Sequence, residues 1–154
     1  MAQALVEPLL NSGSFSADQV HAVVGSAATA QRLAQGTFEA VSIHPSGCSE
    51  ALQVWSAPVQ LLAVKPQQID AIAAAAPDVD HHPLLVSVLA GVSLDRLQRL
   101  FPGHRVVRAV PNTPALVGEG LTALAWGEAI SSEQRLKVRE LFAGVSEVLE
   151  LPEA

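Results

Sequence analysis

Residues 105–120 read R-V-V-R-A-V-P-N-T-P-A-L-V-G-E-G, a β-branched run followed by two prolines three residues apart. The β-branched run predicts a buried strand. Pro111 and Pro114 fix their own φ angles and push the residues before them toward extended conformations, so the strand should end in a stiff loop. Asn112 and Thr113, between the prolines, give that loop hydrogen-bonding side chains. Such a loop suits a binding site, although Thr113 could instead cap a short helix with Pro114 at its first position.

On both sides of this stretch, apolar runs alternate with helical patterns of about ten residues. Strands are predicted at residues 20–24, 38–43, 59–64, 84–89, 120–126 and 145–151. Helices are predicted at residues 2–10, 29–35, 49–55, 67–76, 94–101 and 132–142. Strands that are apolar throughout and separated by helices are typical of a parallel sheet covered on both faces. The sequence therefore predicts an α/β fold with a doubly wound, Rossmann-like parallel sheet.

Composition narrows the class of protein further. The 154 residues are 49% hydrophobic and 16% charged, which is typical of one globular domain. A net charge of −6 with nine scattered Lys and Arg residues argues against a nucleic-acid or anionic-membrane surface. No apolar run is long enough to cross a membrane, and the early Glu7 argues against a signal peptide. A single cysteine, Cys48, excludes an internal disulfide, so we expect a cytoplasmic protein.

Neither the cysteine nor the histidines predict a reactive or metal site. Cys48 lies in S-G-C-S-E, a pattern that fits a small residue at a helix start better than a nucleophile. His81 and His82 are neighbours in a proline-bounded loop and would not share a face, so we expect no metal centre there.

Ligands of doubly wound sheets bind at the carboxyl ends of the strands. The residues that directly follow the predicted strands are therefore the candidates for a site, and they should gather at one edge of the sheet. They are Gly25 and Ser26, Lys65 and Pro66, Ala90 and Gly91, and Pro111, Asn112 and Thr113.

Three of these segments resemble the pyrroline-5-carboxylate reductases. A-V-K-P-Q at residues 63–67 is similar to that family's A-V-K-P segment, and S-V-L-A-G-V-S at residues 87–93 to its S-x-x-A-G segment. R-A-V-P-N-T-P-A-L-V-G-E-G at residues 108–120 is similar to its P-N-T-P motif, with Val110 in place of the usual Met. The motifs occur in the family's order and spacing. The resemblance therefore implies that residues 1–154 are one partial NADP-binding, Rossmann-like domain.

The resemblance also assigns roles to individual residues. It implies contact with the nicotinamide half of the cofactor for Ala63, Val64, Lys65 and Pro66, and further cofactor contacts for Val88, Leu89 and Ala90. It places Asn112 and Thr113 beside the substrate, and it identifies no general acid in this chain. From the residue pattern alone, the favoured interpretation of Lys65 is instead an exposed residue on a solvated rim.

Residues after the predicted strand at 20–24 bear on the choice of cofactor. NAD-specific domains commonly place an acidic residue there, which would repel a 2′-phosphate. This chain has Gly25 and Ser26 instead, and the Ser26 hydroxyl could donate to a phosphate, with Arg32 as a further candidate. We therefore expect NADPH, with NADH as the alternative. Ser26 could equally serve only to cap the following helix.

Two departures from the family pattern carry further expectations. The family opens with a strand and a glycine-rich turn, G-x-x-G-x-G-x-M-A, whose N–H groups hold the pyrophosphate. If Met1 and Ala2 are that M-A, the first strand is missing from a central position, and its neighbours lose their ladder partners. We would then expect instability, rescue by another chain, or a true start further upstream. The family's C-terminal helical domain, which forms its homo-oligomers and most of the substrate site, also has no counterpart in the sequence.

The sequence therefore predicts all or part of a pyrroline-5-carboxylate reductase, which reduces 1-pyrroline-5-carboxylate to proline with NAD(P)H. One alternative is a catalytically silent nucleotide-binding module that associates with other chains through exposed sheet edges. Another is a different oxidoreductase of the 6-phosphogluconate-dehydrogenase-like group. The P-N-T-P motif, which is more specific than the sheet pattern, argues against the last of these.

Overall fold

A computed structural model of the chain describes residues 1–112 and 120–153, in which helices and strands alternate as the sequence predicts. The helices are α1 (Ala2–Asn11), α2 (Ala27–Leu33), α3 (Ile69–Ala75), α4 (Leu94–Leu100) and α5 (Ser132–Ala143). The strands are β1 (His21–Val24), β2 (Ser42–Pro45), β3 (Val59–Leu62), β4 (Leu84–Ser87), β5 (Arg105–Pro111), β6 (Gly120–Trp126) and β7 (Ser146–Glu150). Short 3-10 helices occupy Ala17–Gln19, Gly36–Phe38, Ser49–Ser56 and Pro66–Gln68.

The strands form two sheets. β1 and β2 make a parallel pair, and the other five strands make one sheet in the order β3-β4-β5-β6-β7. The predicted parallel pairing is confirmed for β3, β4 and β5, whereas β6 runs antiparallel to β5. A parallel return needs a crossover of a dozen or more residues, and only residues 112–119 separate these two strands. β7 then pairs parallel with β6.

Helices cover the five-stranded sheet on both faces, as expected for the doubly wound class. On one face Leu84 and Val107 pack with Val138 and Phe142 of α5 and with Leu5 of α1. On the opposite face, residues of β4 and β5 pack with α3 and α4 in a second cluster. All four residues of β4 are buried, which explains why its sequence is apolar without alternation. These two clusters fix the positions of the loops at the strand ends.

Two of the predicted elements differ from the structure around β2. The strand predicted at residues 38–43 begins only at Ser42, because Gly36–Phe38 forms a 3-10 helix. The strand then continues through His44 and Pro45, beyond its predicted end at residue 43. Proline is tolerated in β2 because this strand lies at the edge of its sheet. The segment predicted as an α-helix at residues 49–55 is the 3-10 helix Ser49–Ser56.

The division of the sheet falls between β1 and β3. In the described part of the chain, β1 pairs only with β2 and β3 only with β4, so each has one uncovered edge. This agrees with the expectation that the neighbours of a central strand lack a ladder partner. No helix among the described residues is long and apolar enough to span a membrane.

Candidate cofactor site

Two of the predicted cofactor segments meet at one edge of the five-stranded sheet. β3, β4 and β5 run parallel, so the residues that follow them lie at the same edge. Val88, the first residue after β4, donates its N–H to the carbonyl of Leu62, the last residue of β3, at 3.1 Å, so the two segments begin side by side. The structure therefore brings together the residues predicted from the sequence: Ala63, Val64, Lys65 and Pro66 with Val88, Leu89 and Ala90.

The segment after β3 combines small or half-buried residues with one exposed charge. Val64 packs against the core, which anchors the segment to the domain. The Lys65 N–H donates to Gln68 Oε1 at 3.3 Å, and Pro66 opens the short helix that leads into α3. The Lys65 side chain is exposed, and Ala63 is half-buried. Because Ala63 adds only a methyl group, a flat ligand could approach the main chain there.

A buried serine, the last residue of β4, fixes the segment that follows this strand. Ser87 is fully buried, and its Oγ accepts a hydrogen bond from the Leu89 N–H at 3.4 Å. The Leu89 side chain is buried in the core, so any contact it makes with a cofactor would come from its main chain. Ala90 is exposed, and Gly91 adopts a φ of 72°, a conformation that glycine adopts without strain.

Asn112 closes the end of the β5-β6 hairpin. Its N–H donates to the Leu121 carbonyl at 3.0 Å, and its Oδ1 accepts from the Leu121 N–H at 2.8 Å. The Asn112 side chain is exposed at the edge where the other two segments meet. Thr113 and Pro114, and with them the predicted helix cap, lie outside the described residues.

Ser26 follows β1 and acts as a helix cap. Its Oγ accepts from the Thr29 N–H at 3.2 Å and lies 3.0 Å from Thr29 Oγ1, at the start of α2. The capping role, which the sequence left open, is therefore present. Ser26 remains exposed, and Arg32 lies further along α2 and is exposed as well. Capping uses an oxygen lone pair, so the hydroxyl hydrogen can still serve a ligand.

Sequence analysis missed an ion pair that supports the segment after β4. Glu153 Oε1 accepts from Arg108 Nη1 at 2.8 Å and from the Leu94 N–H at 3.0 Å. Arg108 lies on β5 beside Ser87, and Leu94 begins α4. A charged residue inside an apolar strand signals that a partner exists, because a buried guanidinium needs one. The carboxylate thus ties residue 153 to the helix that follows the predicted cofactor segment.

His104, whose pKa is lowered, lies away from this edge. Burial lowers the pKa of His104 below its ordinary 6.5, and the nearby His81 lowers it further. His104 directly precedes β5, at the opposite end of the parallel strands, and its Nε2 lies 3.0 Å from Gln60 Oε1. Among the described residues, no group of three or more His, Cys, Asp and Glu side chains converges on a point that could hold a metal ion.

Comparison with known proteins identifies the family of this chain. The family described as NADP oxidoreductase, coenzyme F420-dependent, matches residues 1–91. A pyrroline-5-carboxylate reductase from Synechocystis sp. is 39% identical over 154 residues, which are 99% of this chain and 55% of that protein. The chain belongs to the NADP oxidoreductase family that matches residues 1–91, and the Synechocystis reductase is a relative of it.

Solved reductases share the fold over almost the whole chain. The Coxiella burnetii pyrroline-5-carboxylate reductase superimposes with a TM-score of 0.81 at 23% identity, covering 99% of this chain and 55% of that one. The Plasmodium falciparum pyrroline carboxylate reductase, solved with NADP bound, superimposes with a TM-score of 0.79 at 20% identity, covering 98% of this chain and 53% of that one. The chain thus spans about half the length of the reductases that it matches, in the Rossmann-like α/β fold predicted from its sequence.

Proposed function

We propose that this chain forms the nicotinamide-binding part of a pyrroline-5-carboxylate reductase that uses NADPH. The observation that carries the proposal is the junction where the segments after β3 and β4 begin side by side, fixed by the bond from the Val88 N–H to the carbonyl of Leu62 at the end of β3. The methyl side chains of Ala63 and Ala90 leave the main chain approachable at that junction. A related protein with NADP bound has the same fold, which supports a nicotinamide cofactor.

The residues present fit the two ends of such a cofactor. Ala63, Val64, Lys65 and Pro66 would hold the nicotinamide half together with the main chain of residues 88–90. Ser26 and Arg32 would take the 2′-phosphate, since neither brings the negative charge that selects NADH. Lys65 is exposed and adds positive charge at the edge where an anionic cofactor would lie.

When bound, NADPH supplies the hydride for the C=N bond of 1-pyrroline-5-carboxylate, and proline is the product. The protein's own contribution is to bind and orient. Asn112, held by two hydrogen bonds to Leu121, would set one side of the substrate position. Asn112 and Thr113 would border the reacting centre. This reaction places the protein in proline biosynthesis, and the lone Cys48 is consistent with the cytoplasm.

Fluorescence titration of the purified chain with NADPH, and with NADH in parallel, tests the cofactor assignment. We expect micromolar binding with a preference for NADPH. Lys65→Glu should weaken NADPH binding by roughly 5- to 20-fold, because a charge is reversed beside an anionic ligand. Lys137→Glu is the matched control, since Lys137 lies exposed on α5 and its ion pair with Glu133 is at the surface. Equal effects of the two substitutions, or no binding by a folded chain, would contradict the proposal.

Ser26→Asp tests the cofactor preference separately. A carboxylate at this position can still cap α2, so the fold should be retained. It should lower the affinity for NADPH by about tenfold and leave that for NADH nearly unchanged, because only NADPH carries the 2′-phosphate. A parallel loss for both cofactors would show that Ser26 does not read the phosphate.

A further inference from the structure

Residues 88–93, which join β4 to α4 and are here called the β4-α4 segment, carry an exposed part of the candidate cofactor site. Leu89 and Val92 are each only 2% exposed, so two points of the segment are fixed in the core. Between them, Ala90 and Gly91 are exposed. A cofactor at this edge would therefore meet a short exposed turn, whose position depends on how the segment is held at its two ends.

One carboxylate oxygen connects the two ends of the β4-α4 segment. Glu153 Oε1 accepts a hydrogen bond from the N–H of Leu94, the first residue of α4, at 3.0 Å. The same oxygen accepts from Arg108 Nη1 at 2.8 Å. Arg108 on β5 pairs in register with Ser87, the last residue of β4, whose hydroxyl holds the start of the segment. The residue after the segment and the strand beside its start are thus bonded to the same atom.

Partial burial strengthens this connection. The side chains of Arg108 and Glu153 are 24% and 25% exposed, so water competes for them less than it does at a fully exposed ion pair. A hydrogen bond to a charged acceptor is also stronger than one between neutral groups, and the bond from the Leu94 N–H is of this kind. Glu153 lies 59 residues after Leu94 in the chain. The pair therefore adds a constraint on the β4-α4 segment that does not come from the segment itself.

Glu153 is in turn placed by the residues that follow β7. The Leu151 N–H donates to the Leu124 carbonyl of β6 at 2.9 Å, although β7 itself ends at Glu150. Leu151 and Pro152 are exposed, so main-chain bonding rather than burial holds this part of the chain. A change in the β4-α4 segment that displaces the carboxylate would therefore reach the bond between Leu151 and β6.

We propose that Arg108 and Glu153 are positioning residues for the nicotinamide half of NADPH, and that they couple cofactor binding at the β4-α4 segment to residues 151–153. The pair acts through Leu94 and the segment, without touching the cofactor. Coupling of this kind is reciprocal: if the pair strengthens NADPH binding, bound NADPH must strengthen the pair by the same factor. This inference rests on the proposed function, because it takes from that function the presence of the cofactor at this edge.

Titration with two ligands separates positioning from a general loss of structure. The probes are NADPH and adenosine 2′,5′-bisphosphate, which carries the adenosine end of the cofactor and lacks the nicotinamide. Glu153→Gln, which removes the charge, should raise the Kd for NADPH by roughly 5- to 10-fold and leave the Kd for the bisphosphate unchanged. Glu147→Gln, at an exposed position of β7, is the matched control and should leave both values unchanged. Equal weakening of both ligands in Glu153→Gln, or an unchanged Kd for NADPH, would overturn the inference.

Hydrogen exchange in the parent chain tests the coupling without any substitution. Saturating NADPH should slow exchange of the N–H groups of Leu94 and Leu151. In Glu153→Gln, NADPH at saturation should still slow exchange at Leu89 but no longer at Leu151, whereas a merely structural pair would leave the response of Leu151 to NADPH unaltered. If NADPH binds the parent chain and exchange at Leu151 does not change, the inference fails while the proposed function stands. If the parent chain does not bind NADPH, both fail.

Discussion

Replacing Glu153 with alanine should destabilise the fold, because its carboxylate serves two donors at once. Glu153 Oε1 accepts from Arg108 Nη1 at 2.8 Å and from the Leu94 N–H at 3.0 Å. The Arg108 and Glu153 side chains are only 24% and 25% exposed. Arg108 Nε is buried and has no hydrogen-bond partner among the described residues. Without the carboxylate, a largely buried guanidinium loses its counter-ion.

The size of the effect follows from this burial. Removing one partner of a fully buried ion pair costs about 3–5 kcal/mol, whereas an exposed pair contributes about 0–1 kcal/mol. Because about three-quarters of each side chain is buried, we expect Glu153→Ala to lower the free energy of unfolding by about 2 kcal/mol. Glu153→Gln keeps an acceptor oxygen and should cost about 1 kcal/mol. In a chain of this length, these losses correspond to roughly 4–8 °C and 2–4 °C in Tm.

Urea unfolding followed by circular dichroism measures these differences, and a double-mutant cycle with Arg108→Met isolates the pair. The double variant should be more stable than the sum of the single effects predicts, by about 1 kcal/mol or more. Glu147→Ala, on the exposed side of β7, is the control and should change stability by less than about 0.5 kcal/mol. If Glu153→Ala matches that control, or if the two substitutions are additive within about 0.5 kcal/mol, the reasoning is refuted.

Three further substitutions test other parts of the fold by urea unfolding. Gly127→Ala would place a Cβ 2.5 Å from a main-chain carbonyl oxygen of β5 and should lower the free energy of unfolding by about 1–3 kcal/mol. The control is Gly25→Ala, whose Cβ would meet nothing within 4 Å. Equal urea midpoints for the two variants would contradict this prediction. Burial lowers the pKa of His104, so the unfolded chain takes up the proton first and stability is lost as the pH falls below 6.5. His104→Phe should remove this loss of stability between about pH 7.5 and about pH 5. If the free energy of unfolding of the variant falls with pH as steeply as that of the parent chain, the prediction is wrong. Leu97→Ala in the buried core should lower the free energy of unfolding by about 2–5 kcal/mol. Leu136→Ala, at an exposed position, should lower it by less than about 0.5 kcal/mol. Similar losses for the two variants would show that the core is misassigned.

The alternation of elements and the edge at which the candidate residues meet could be predicted from the sequence. Apolar runs such as residues 84–89 identify buried parallel strands because both faces of such strands are covered. Parallel strands then place their following residues at one edge, which is why the segments after β3 and β4 meet where the sequence predicts. The reversal of β6 was also within reach, since the connection at residues 112–119 is too short for a parallel crossover.

Other features depend on contacts that no local pattern encodes. Arg108 and Glu153 are 45 residues apart in the chain, and their pairing follows from the path of the segment after β7. The late start of β2 depends on Gly36–Phe38 forming a 3-10 helix, which the apolar run at residues 38–43 conceals. Ser26 fits a cap and a phosphate donor equally well by residue type, and only the bond to the Thr29 N–H shows that capping occurs.

The strand order has a consequence for how the protein folds. In the described part of the chain, every pairing joins strands that are consecutive in the sequence, from β1-β2 to β6-β7. Consecutive pairing keeps contact order low for a sheet protein, and low contact order is associated with fast folding. Each ladder closes a short loop, for which the entropic cost is modest. The sheets can therefore grow strand by strand from neighbouring segments, without waiting for distant parts of the chain to meet.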